Sequence, residues 1–79
     1  MKPSDVIASY LDTTRIAGLG CFSTVAQNVA DQDVERGLTY LLGVQDAFGA
    51  SGNSVMANLV RDCRTALKDR FRNGVVPTT

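Results

Sequence analysis

The sequence predicts an all-α fold, a small bundle of four helices, on three observations. Apolar residues recur at i, i+3, i+4 and i+7 in separate stretches; helix start and stop residues fall between those stretches; and no linker longer than about five residues divides them. The expected bundle has two short N-terminal helices and two longer C-terminal ones packed as an antiparallel hairpin. Its expected extent is 1–74, followed by a loose tail at 75–79.

Pro3 and Ser4 supply the first start signal, with Asp5 in the first turn where a helix dipole favours an acid. Val6, Ile7, Tyr10 and Leu11 give this helix its apolar face, which fades near Thr13 and Thr14. Gly18 and Gly20 flank Leu19 and mark a turn or a weak helix start, after which Phe22, Val25, Ala26 and Val29 form the stripe of a second helix. The next apolar set, Val34, Leu38, Leu41 and Phe48, is rotated from Val29 by about 130–140° at ~100° per residue. One straight helix cannot aim both sets at one core, so a break is expected near Asp31. Asp31 or Asp33 is the N-cap of a third helix running from about Asp33 to Phe48, with Glu35 in its first turn. Gly49-Ala50-Ser51-Gly52 ends it. Asn53 or Ser54 caps a fourth helix with the stripe Met56, Leu59, Val60, Cys63, Ala66, Leu67 and Phe71, and Gly74 stops it.

At 79 residues the chain buries only about 60% of the surface its unfolded form exposes, which makes help from a partner subunit plausible. Two cysteines and no histidine provide neither a disulfide framework nor a structural metal site. Eight basic and eight acidic residues cancel, which speaks against a globally basic nucleic-acid binder. The charge-free stretch Ile16 to Ala30 is too short and too polar for a membrane span. Asp5 stands where a secretory signal would begin its apolar region, so a cytoplasmic location is expected.

Catalysis is not expected. Histidine, the commonest base near neutral pH, is missing, and no motif is specific enough to name a family. Asp31, Asp33 and Glu35 cluster as an acid–base or cation site would, but they lack the glycine and later glutamate of a calcium loop; the plain reading is a capped helix with an acidic first turn. Gly18, Gly20 and Gly43 lack the Gly-Lys-Ser/Thr of a phosphate loop. Gly49 to Ser54 would offer an anion the N–H groups of a helix start, but an ordinary connector is the expected reading. Cys21 and Cys63 sit on or beside apolar faces and read as buried, reduced thiols. No cofactor or metal is expected.

Two features point to protein contacts. Beside its main stripe the third helix carries Gly37, Tyr40, Val44 and Ala47 on an adjoining face, an apolar or small arc of about 220°, well beyond what a surface helix needs. Such a helix is either the central one, packed between the second and fourth within one subunit, or, in the favoured reading, Tyr40, Val44, Ala47 and Phe48 are the self-complementary interface of a homodimer. The fourth helix places Arg61, Arg64, Lys68 and Arg72 within an arc of about 80°, a basic ridge for an acidic partner. Arg70 projects instead from its apolar face, to pair across an interface or to snorkel past the end of the core. Three basic groups face six acids before Asn53, and five face two acids after it, so net charge divides into −3 and +3. The expected function is a small non-catalytic interaction module, a regulator, adaptor or inhibitor that docks by a helical face as a homodimer. The alternative is a nucleic-acid-binding regulator using the basic ridge. A helix-turn-helix version is poor, because its reading helix would open with Asp33 and Glu35, which repel phosphate.

Overall fold

The computed structural model describes residues 2–11 and 20–72, the second stretch without the side chains of Cys21 and Arg72. The expected turn at Gly18, the stop at Gly74 and the tail at 75–79 lie outside the described residues, whereas the first helix, expected to fade near Thr13, already ends at Tyr10, because Leu11 turns out of helical geometry to bury its side chain. Within them the chain is all-helical: α1 (Pro3–Tyr10), α2 (Gly20–Gln32), α3 (Val34–Ala50) and α4 (Ser54–Arg72). No described helix is long and apolar enough to cross a membrane.

Pro3 opens α1, since its missing N–H would have no helical partner there. The Lys2 N–H donates to Asp5 Oδ2 at 3.1 Å, and the Ser4 N–H donates to Asp31 Oδ1 at 2.9 Å. The α1 start is therefore capped in part from the far end of α2. The helix ends at Tyr10, and Leu11 leaves helical geometry yet is 1% exposed.

Between α2 and α3 the chain turns on a single residue. Asp33 is extended (φ −158°, ψ 109°), and its Oδ1 accepts the Glu35 N–H at 3.0 Å. The break thus falls two residues beyond Asp31, at the residue whose carboxylate satisfies an orphan N–H of the new helix. After α3, Gly52 adopts φ 84°, its N–H donates to the Gly49 carbonyl at 3.1 Å, and the Asn53 N–H donates to the Phe48 carbonyl at 2.9 Å. This is a Schellman closure, which needs the left-handed conformation that glycine adopts without strain. Asn53 then begins α4, its Oδ1 accepting the Met56 N–H at 3.2 Å.

The helices close a ring in which α1 packs on α2 and α4, and α3 packs on the same two. Ile7, Leu11, Leu41, Val60 and Leu67 meet inside it, each at most 1% exposed. Small side chains line the α2 side: Ser23, Ala26 and Ala30 are buried. They let α3 approach so closely that a Cβ placed on Gly37 would lie 2.6 Å from the Ala30 Cβ.

Candidate protein-interaction surfaces

The contacts of Gly37 with Ala30 and of Phe48 with Phe22 establish which side of α3 meets α2. Phe22 and Phe48 pack edge to face, centroids 5.7 Å apart and planes at 63°. Tyr40, Val44 and Ala47 follow Gly37 at steps of three and four, so they lie along this same seam. Tyr40, Val44 and Phe48 are half-buried against the core, and Ala47 is exposed. The structure therefore brings the four expected interface residues to one seam while using part of their area within the subunit.

What the sequence reading left out of this surface is α2. Val25 and Val29 lie within about 60° of Phe22 around the α2 axis. Val25 is 44% exposed and Val29 half-buried. From Gly20 to Ala30 the helix carries no charge at all, and Arg36 is the nearest charged residue preceding Tyr40 on α3. The signal was present in the charge-free stretch Ile16 to Ala30, which says as much about an uncharged outer face as about membranes.

The other flank of α3 meets α4. Arg64 Nε donates to the Leu38 carbonyl oxygen at 3.2 Å, carrying the guanidinium across the seam. Here Val34, Leu38, Leu42 and Phe71 form the apolar lining of a groove of about 540 Å³, with Arg64 and Lys68 on one side and Glu35 and Thr39 on the other. Leu42 is 39% exposed. Of the expected basic ridge, Arg64 and Lys68 open onto this groove; Arg61 is exposed and ion-paired with its neighbour Asp62 at 3.4 Å. The Arg72 side chain lies outside the described residues. Arg70 sits over the α1–α4 seam, lining a crevice with Val6, Ser9, Tyr10 and Ala66.

The acidic cluster separates into structural roles, because Asp31 accepts from the α1 start and Asp33 from the α3 start. Among the described residues no three Cys, Asp or Glu side chains gather as a metal ion would require. At the start of α4 the Asn53 side chain occupies one of the N–H groups an anion would use. Cys63 is a buried free thiol whose pKa burial pushes up from 9.0 to about 12, which leaves it protonated and unreactive near neutral pH. The Cys21 side chain lies outside the described residues. Compared with known protein families, curated proteins and solved structures, the chain matches none.

Proposed function

We propose that the protein is a small non-catalytic interaction module, a regulator, adaptor or inhibitor, that docks by helical faces and self-associates as a homodimer through the α2–α3 seam. The observation that carries this reading is the uncharged strip along that seam, with Val25 and Ala47 exposed beside half-buried Phe22, Val29, Tyr40 and Val44. Depletion of charge together with aromatic content is what marks the centre of a protein interface. A two-fold pairing needs only that one patch fit its own copy, and a thin core gains most from it. In this reading α3 and α4 run antiparallel as a hairpin, in keeping with the contact between Leu38 and Arg64, which stand at comparable distances before and after the turn at Gly52. A free, buried Cys63 suits a reducing compartment such as the cytoplasm. The basic ridge favours nucleic acid less, because Arg61 is paired with Asp62 and Glu35 lines the same groove as Arg64 and Lys68, where it repels phosphate.

Sedimentation across the micromolar range tests the dimer. The unaltered chain is expected to sediment as a dimer, and Val25→Glu and Ala47→Glu as monomers with unchanged helical circular dichroism. Both sites are exposed, so neither change burdens the subunit's own core. A wild-type monomer throughout that range, or a dimer indifferent to both substitutions, overturns the reading.

A further inference from the structure

We infer that the groove between α3 and α4 is a docking site for a short amphipathic helix of another protein, one with acidic residues along one flank of its apolar stripe. Val34, Leu38 and Leu42 line the groove at steps of four, so their side chains repeat about every 6 Å along α3. An apolar partner helix with anchors at i, i+3 or i+4, and i+7 has the matching repeat. Leu42 is 39% exposed in the subunit, and Val34 and Phe71 are half-buried, so apolar area remains for such anchors to cover.

Charge decides the partner's chemistry. Arg64 and Lys68 line the α4 side one helical turn apart, which suits acids at the same spacing on the incoming helix. Arg64 is held in place by its bond to the Leu38 carbonyl, which uses one of its five donors and leaves the others for a carboxylate. A cation fixed before binding loses less freedom on binding than a mobile one. Glu35 lines the opposite side and disfavours an incoming helix that is acidic on both flanks. The expected partner is thus acidic on the flank facing α4 and neutral or basic on the other. The inference rests on the reading of the protein as an interaction module but not on the dimer, because this groove lies on the flank of α3 away from the proposed dimer seam.

The test is fluorescence anisotropy with two labelled synthetic helical peptides, each with leucines at i, i+3 and i+7. One carries glutamates on a single flank, and the other carries lysines at the same positions. The acidic peptide is expected to bind saturably and at least about tenfold more tightly than the basic one, with the difference shrinking as salt rises. Lys68→Glu, at an exposed position, should reverse the order of the two peptides, and Leu42→Asp should abolish binding of both. Val55→Ser, at a 75% exposed position that lines neither surface, should change neither titration. Equal binding of the two peptides, no binding of either, or indifference to Lys68→Glu overturns the inference. So does tighter binding of a labelled single-stranded oligonucleotide that Lys68→Glu removes, which would assign the cations to nucleic acid. Conversion of a dimer to a monomer by Leu42→Asp would assign the groove to a second copy and likewise overturn it.

Discussion

At Gly37 the two middle helices come so close that a methyl group would meet not only the Ala30 Cβ but also its Cα, 2.8 Å away. Backbone yields less readily than a side chain, so Gly37→Ala is expected to cost about 1–3 kcal/mol through overpacking, more than the ~1 kcal/mol that alanine returns in helix propensity. Gly43, in the same helix, is exposed and has nothing within 4 Å of an added Cβ. Gly43→Ala should therefore stabilise by about 0.5–1 kcal/mol, and the opposite shifts of the two variants are read from urea midpoints. Sequence spacing identified Gly37 only as a small residue on an adjoining face. A distance of contact depends on a helix that α3 meets through tertiary packing, which no periodicity encodes. Cys63 was easier to anticipate, because its place on the α4 stripe implied burial. Its thiol should resist alkylation in the folded protein near pH 8 and react on unfolding. With the folded pKa raised to about 12 above an ordinary 9.0, the unfolded chain loses the proton first. The contribution of Cys63 to stability is then complete below pH 9 and falls as pH rises from there towards 12, which alkaline denaturation curves would display.

Helix boundaries were the most legible level, because caps act over two to four residues and leave their signature in adjacent sequence. Asn53 and Gly52 illustrate this: one bond pattern closes α3, and the next residue's side chain opens α4. The acidic pair before α3 shows where such legibility stops. Asp31 and Asp33 competed as caps of a single helix, yet each caps a different one, Asp31 reaching Ser4 across 27 positions of sequence. Asp33→Ala should cost about 1 kcal/mol by leaving an N–H of α3 unsatisfied. Asp31→Ala should cost a similar amount by loosening the α1 start, about 1 kcal/mol or less because the site is exposed. Hydrogen exchange separates the two effects: Asp31→Ala speeds exchange in the first turn of α1, and Asp33→Ala in the first turn of α3. Exchange changing only around α3 in both variants would show that the Asp31 contact does not hold α1.

Across the whole molecule, α3 is the shared wall between the two proposed surfaces. The excess apolar arc on this helix was readable from sequence, but its leftover area was ascribed to the flank of Gly37, Tyr40, Val44 and Ala47, whereas Leu42 is exposed on the other flank. Which flank a neighbour covers follows from where α2 and α4 settle, and that is decided by packing at Gly37 and Leu38 rather than by α3 itself. The uncharged character of the α2–α3 seam leads to a prediction that distinguishes it from the alternative drawn by the −3 and +3 halves of the chain. If association proceeds through Val25, Tyr40, Val44 and Ala47, folding is linked to dimerisation, and each tenfold rise in protein concentration adds about 1.4 kcal/mol per mole of dimer to apparent stability. Melting temperature should climb with concentration in the unaltered chain and stay constant in Val25→Glu. Because no charge is buried at such a seam, raising sodium chloride should leave that concentration dependence in place, while sulfate should strengthen it. Pairing of the acidic half of one subunit with the basic helix of another predicts the reverse, a dimer that weakens steadily as salt screens it. A concentration-dependent melt that salt abolishes would therefore move the subunit interface from the α2–α3 seam to α4.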